Sequence, residues 1–256
     1  MENPEPKSES IGTSHKVLAW LVHLYTASGI LWGVLTLHAI IEKRLGDVYF
    51  WMLTAVVVDA TDGFLARKFR VKEVLPSVDG TLLDNIVDYL NWSFIPAVFL
   101  WLSGWLVGPS WLWCSLLLVC SAFAFVHSDA KVVDEGFFRG FPSYWNIGAF
   151  FVDLTYLELG PSQSGVGGVI VTSAVVILSL LSVVPVYFVY PTRAIRWRPF
   201  FVGGSALWTV HCAVMIGFYP HVPSWLYWSS LVYPTAYLLT SFAWTPGVHR
   251  RVRERM

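Results

Sequence analysis

Residues 56–92 read VVVDATDGFLARKFRVKEVLPSVDGTLLDNIVDYLNW. The segments on either side of the central basic cluster are apolar enough for a lipid bilayer, yet they contain Asp59, Asp62, Asp84 and Asp88. At roughly 100° per residue, Asp59, Asp62, Gly63 and Ala66 share one face of a first helix. Gly80, Asp84 and Asp88 recur at i, i+4 and i+8 on one face of a second. A hairpin of these helices sets four carboxylates opposite one another, toward the end of the pair that carries Arg67, Lys68, Arg70 and Lys72. Unneutralised acids in such a setting are expensive, and they normally face a bundle interior or a water-filled cavity. Something positive must sit among them. Hard oxygen donors without His or Cys favour Mg²⁺ or Mn²⁺, and four acids shared between two ions suit a centre that clamps a phosphoryl group during displacement. The plain alternative is ion pairing with the four basic residues. Those lie nearer the surface than Asp84 or Asp88 and do not match all four acids.

The rest of the chain fits that setting. Its 256 residues are 55% hydrophobic and 13% charged, which is more apolar surface than a soluble core hides. Runs of about 18 to 27 apolar residues predict eight spans near 16–41, 47–69, 80–106, 110–131, 143–159, 166–191, 200–219 and 222–243, the fifth being the shortest. With the N-terminus in the cytoplasm, Lys43 and Arg44 alone among the 17 Lys and Arg residues fall outside. That is the positive-inside pattern, and dropping or merging one span would scramble it. The expected fold is therefore an all-α integral membrane protein of about eight transmembrane helices, with both termini cytoplasmic and the polar active site toward the cytoplasmic side. Residues 1–14 read as a disordered polar tail, 15–245 as one transmembrane catalytic domain and 246–256 as a basic tail. Cys114, Cys120 and Cys212 fall within spans, without the spacing of a metal or disulfide framework. A formal net charge of zero argues against a nucleic-acid partner.

The pattern Asp59-x2-Asp62-Gly63-x2-Ala66-Arg67 followed by Gly80-x3-Asp84-x3-Asp88 resembles the signature of the CDP-alcohol phosphatidyltransferase family, membrane enzymes of phospholipid synthesis. The twelve residues KFRVKEVLPSVD between Arg67 and Gly80 are a longer linker than most of that family carries. That linker, the run from Asp84 to Tyr89, His127-Ser128-Asp129-Ala130-Lys131 and Gly140-Phe141-Pro142-Ser143-Tyr144-Trp145-Asn146 resemble a bacterial branch whose acceptor alcohol is choline. The detailed match covers roughly residues 56–147, and the C-terminal third matches in layout only.

The resemblance implies a set of roles. Choline attacks the phosphatidyl phosphorus of CDP-diacylglycerol and releases CMP. Asp59, Asp62, Asp84 and Asp88 hold the metal, two ions of Mn²⁺ or Mg²⁺, and Asp88 is also the general base. Asp59, Gly63, Ala66, Arg67 and Gly80 bind the CDP group. The setting is the bacterial inner membrane, and the family resemblance implies a homodimer. Choline is a quaternary ammonium, so its pocket calls for aromatic faces, and Tyr89, Trp92, Tyr144 and Trp145 are the candidates by position. With 14 Trp and 11 Tyr in the chain, interfacial belts account for most aromatic residues. Lys131 is placed to touch a phosphate or to snorkel, and Asp129 and Asp153 receive no role. Two other readings compete. Serine, inositol or glycerol 3-phosphate would be the acceptor if extra basic residues faced the metals, where Lys131 and Arg139 are the nearby surplus. A divalent-cation or proton-coupled transporter would place its acids nearer the bilayer midplane, on broken helices.

Overall fold

The computed structural model describes residues 12–126, 131–132, 136–159, 165–190 and 197–254. It is a predominantly helical bundle. Helix α1 (Thr13–Ile41) turns at Glu42–Arg44 into α2 (Leu45–Lys68), where Arg44 pairs with Asp47 at 2.6 Å. A short helix α3 (Val71–Val74) leads to α4 (Gly80–Asp88), which continues through a π-helical turn (Tyr89–Phe94) into α5 (Ile95–Ser103). The widened turn has a local cause: Pro96 lacks an amide hydrogen, and its ring crowds the carbonyl one turn earlier. Next come α6 (Ser110–Val126), strands β1 (Lys131–Val132) and β2 (Phe137–Arg139), α7 (Trp145–Leu159) and α8 (Val166–Leu181). Strand β3 (Tyr187–Val189) and helices α9 (Arg198–Phe218), α10 (Ser224–Ser230) and α11 (Val232–Glu254) complete the order.

Among the described residues, four helical stretches are long and apolar enough to cross a membrane: Thr13–Ile41, Leu45–Lys68, Gly80–Ser103 and Arg198–Phe218. Ser110–Val126 and Val166–Leu181 are shorter apolar helices. Outward faces carrying Leu24, Val34, Phe50, Phe64, Leu207 and Val210 are exposed, as lipid contact requires.

Three expected spans are corrected. The sixth was expected to run to residue 191, but α8 stops at Leu181, because Pro185 cannot continue a helix and restrains the residue before it. The chain beyond forms β3, which pairs antiparallel with β2, itself paired with β1. The all-α expectation therefore omitted a small three-stranded sheet. The eighth was expected at 222–243, but the structure divides it into α10 and α11, with α11 running through Glu254. The fourth was expected to reach residue 131, while α6 ends at Val126. Residues 127–130, with His127, Ser128, Asp129 and Ala130, lie outside the described residues, as do residues 1–11 of the expected N-terminal tail.

Two packing features fix the bundle around the acids. On α1, a Cβ on Gly29 would lie 2.4 Å from Val87 Cγ1, and one on Gly33 2.7 Å from Ile95 Cδ1. Small residues here let α1 seat directly against the α4–α5 span. Asn91 locks the contact by donating from Nδ2 to the Gly29 carbonyl at 3.0 Å and the Val87 carbonyl at 3.1 Å. Elsewhere in the core, Tyr49 on α2 donates its hydroxyl to Asp153 Oδ2 on α7 at 2.6 Å, and Tyr219 at the end of α9 also hydrogen-bonds Asp153. Asp153, 1% exposed, is thus a polar clamp on three helices. The Tyr49 ring packs edge-on against Phe99, Phe150 and Tyr219.

Candidate active site

The lower half of α2 carries Asp59, Asp62, Gly63, Ala66 and Arg67, and α4 begins at Gly80. The Asp79 carboxylate caps α4 by accepting from the Leu82 amide at 3.0 Å, satisfying one of the unpaired first-turn donors. The long linker between the helices is folded. Arg70 adopts a left-handed conformation (φ 51°) and pairs with Glu73, while α3 turns Val71 and Val74 inward. With Leu75 these pack on Ala19 and Val22 of α1. The apolar side of RVKEVLP is therefore a foot on α1, and its polar side forms the wall of a cavity.

That cavity holds about 790 Å³ and is open between α1, α2, the linker and α4. Asp62, Gly63, Ala66 and Arg67 line it from α2, Arg70 and Lys72 from the linker, Gly80, Thr81 and Asp84 from α4, and His23 and Thr26 from α1. A second, deeper cavity of about 10 Å³ has room on the scale of one water-sized sphere. Its lining includes Asp59, Asp88, Asn91 and Trp92, and it shares Thr26, Asp62 and Asp84 with the first. The aspartates thus stand at the junction of a wide polar chamber and a tight inner space.

Asp59, Asp84 and Asp88 each present a carboxylate oxygen, and these oxygens lie within 4.8 Å of one another. The Asp59 and Asp88 carboxyls approach within hydrogen-bonding reach. Three acids at this spacing, on hard oxygen donors and around an ion-sized space, fit a divalent cation. Asp62, the fourth expected ligand, stands apart from that trio. It is 6% exposed, with Thr26, the Gly63 amide and Arg67 around its carboxyl. Gly63 leaves room that the Arg67 guanidinium occupies: a Cβ there would lie 3.3 Å from Nη1. At Gly80 a Cβ would lie 3.0 Å from His23 Cε1.

The four aromatic candidates separate. Trp92 lines the inner cavity, and its ring centroid lies 5.3 Å from that of Tyr144. Tyr144 is partly buried and within electrostatic reach of Asp59, Asp88, Tyr190 and Tyr233. Tyr89 turns toward α6, donating to the Leu118 carbonyl at 3.1 Å and meeting the Phe125 ring edge-on. Trp145 is 1% exposed and donates from Nε1 to Ser121 Oγ at 3.0 Å, so it belongs to the core. Ser143, at φ 53°, sets the turn that delivers Tyr144; a non-glycine residue there stores strain of about 1–3 kcal/mol.

The sequence reading missed His23, Thr26, Asn91, Tyr190 and Tyr233. A polar side chain inside an apolar run was the available signal for the first three. The tyrosines come from remote segments and have no local mark.

The chain is similar to proteins named phosphatidylcholine synthase. The one from Mesorhizobium japonicum is 36% identical over 214 residues, 83% of this chain and 75% of the relative. The one from Borreliella burgdorferi is 37% identical over 183 residues, 71% of this chain and 74% of the relative. The one from Pseudomonas aeruginosa is 32% identical over 214 residues, 82% of this chain and 85% of the relative. No family profile matches the chain.

Proposed function

The chain belongs to the phosphatidylcholine synthase family, and we propose that it transfers the phosphatidyl group of CDP-diacylglycerol to choline with release of CMP. The observation that carries this reading is the cluster of Asp59, Asp84 and Asp88 lining the inner cavity, with Asp84 also reaching the large chamber. The chamber, with Arg67, Arg70 and Lys72 in its wall, suits a nucleoside diphosphate headgroup, since guanidinium and ammonium groups hold phosphate oxygens. The lining of the small inner cavity, with Asp88 and Trp92 side by side, suits the hydroxyl end of the acceptor alcohol.

In the proposed reaction the choline hydroxyl oxygen bonds to the phosphatidyl phosphorus while the bond from that phosphorus to the bridging oxygen breaks, and CMP leaves with the electron pair. Asp88 takes the hydroxyl proton. Arg67 orients the diphosphate. Asp59, Asp62, Asp84 and Asp88 would hold Mn²⁺ or Mg²⁺, as two ions. Bound there, the metal neutralises the diphosphate and stabilises the leaving phosphate. Trp92 and Tyr144 offer ring faces to the trimethylammonium group.

Among the described residues, the lining of the inner cavity includes no Lys or Arg. Acceptors bearing phosphate or carboxylate would lack a counter-charge there, which favours choline over glycerol 3-phosphate or serine. The deciding experiment is an acceptor panel with purified protein, CDP-diacylglycerol and Mn²⁺. Choline is expected to support CMP release, and efficient use of serine in its place would reject the acceptor while leaving phosphatidyl transfer intact.

The aromatic reading has its own test. A cation over an aromatic face is worth about 0.5 to 2 kcal/mol, so Tyr144→Ala and Trp92→Ala are each expected to raise the choline KM by about twofold to thirtyfold. The KM for CDP-diacylglycerol should hardly move. Trp145→Ala is expected to lower the melting temperature instead, since it empties a core site. Unaltered choline kinetics in both pocket variants would reject this placement.

We place the protein in the bacterial inner membrane as a homodimer, with both termini and the Arg67–Lys72 loop cytoplasmic, where CDP-lipid headgroups meet soluble choline. The orientation rests on the positive-inside distribution, and the homodimer on the family resemblance alone. A reporter fused after Met256 is expected to be active only as a cytoplasmic fusion, and periplasmic activity would overturn the orientation.

A further inference from the structure

His23 on α1 lies outside the aspartate signature, yet it forms part of the wall of the large chamber. Its side chain is 7% exposed, and its buried Nε2 has no hydrogen-bond partner among the described residues. A buried polar atom left unpaired carries a desolvation penalty, and such groups in a folded protein mark strain, a functional role or a missing ligand. The ring is held deliberately. It meets Trp20 edge-on, and the missing side chain of Gly80 makes room for it, since a Cβ there would stand 3.0 Å from Cε1. Thr26, one turn further along α1, borders both cavities, whereas His23 borders only the chamber. His23 therefore sits on the nucleotide side of the carboxylates, away from Asp88 and the acceptor space.

We propose that His23 is a substrate-binding residue for the nucleotide headgroup, its unpaired ring nitrogen making a hydrogen bond to the cytidine diphosphate group in the chamber. This rests on the chamber being the CDP-lipid site, and it also recasts Gly80 as the residue that admits the histidine ring beside the helix terminus.

Two variants separate binding from packing. His23→Phe keeps a ring in the wall without a nitrogen, and His23→Gln keeps a hydrogen-bonding group on a flexible stem. His23→Phe is expected to raise the CDP-diacylglycerol KM about tenfold and to weaken CMP as a product inhibitor by a similar factor, equivalent to about 1.4 kcal/mol. The choline KM should stay within about twofold, while the melting temperature without nucleotide should hold or rise because the unpaired atom is gone. His23→Gln is expected to recover part of the lost affinity. Thermal stabilisation by CMP alone reads the same contact without turnover. If the wild-type protein makes no product from CDP-diacylglycerol and choline, the proposed function fails, yet loss of CMP stabilisation in His23→Phe would still support the contact. Unchanged CDP-diacylglycerol KM and unchanged CMP stabilisation in His23→Phe would overturn it, as would an equal shift in both substrate KM values.

Discussion

Asp59→Ala, Asp84→Ala and Asp88→Ala are each expected to abolish CMP release from CDP-diacylglycerol and choline, and EDTA is expected to do the same to the wild-type protein. Each variant removes one of three carboxylates whose oxygens lie within 4.8 Å. Loss of a positioned general base costs about 10²- to 10⁴-fold in rate, and loss of an electrostatic anchor in a water-poor site adds about 10²- to 10³-fold. The loss should therefore be far larger than the tenfold that about 1.4 kcal/mol represents. Stability should move the other way. Without metal, like charges this close repel, so deleting one should leave the melting temperature of the metal-free protein unchanged or higher. A carboxylate kept for structure would destabilise the fold when removed. Full turnover in EDTA, or Asp84→Ala near the wild-type rate, would sink the metal reading.

The second large effect is expected from Gly140→Ala. Gly140 has φ +84°, and a Cβ there would lie 2.3 Å from the carbonyl oxygen of Ser182. Its amide donates to Val186 at 2.7 Å, and the Phe141 amide donates to Leu181 at 2.9 Å. These bonds clasp the end of β2 onto the turn after α8. Left-handed geometry costs a non-glycine residue about 1 to 2 kcal/mol, and a backbone clash of this kind cannot be relieved by a rotamer. A total loss above about 3 kcal/mol is expected, among the larger effects of a single substitution. Gly104→Ala supplies the control: its φ is +74°, but a Cβ there meets nothing within 4 Å, so only the conformational cost remains. Tyr144 follows four residues after Gly140, and any Gly140→Ala protein that folds should show a raised choline KM. Equal melting temperatures for the two variants would refute the clasp.

The membrane class and the acid hairpin were legible in the chain itself, because both depend on short-range regularities. Apolar length reports a span, and i, i+3 and i+4 spacing reports one helix face wherever the helix goes. Asp59, Asp62, Asp84 and Asp88 could therefore be expected together without coordinates, and the structure gathers Asp59, Asp84 and Asp88 within 4.8 Å. The same rules failed at residues 182–191, where an apolar run of span length is a proline-stopped helix followed by a strand, since hydropathy measures transfer from water and not backbone path. They also could not rank Tyr89, Trp92, Tyr144 and Trp145. Which aromatic ring faces the acids depends on the partner helix and on a turn held by Gly140 and Ser143, through contacts between segments far apart in the chain. His23 went unread for a related reason: a lone histidine in a span is ambiguous until a neighbouring helix either pairs its nitrogen or leaves it bare. Local periodicity thus determined where charge could gather, and tertiary packing decided which side chains surround it, because burial and hydrogen-bond satisfaction are properties of assembled helices.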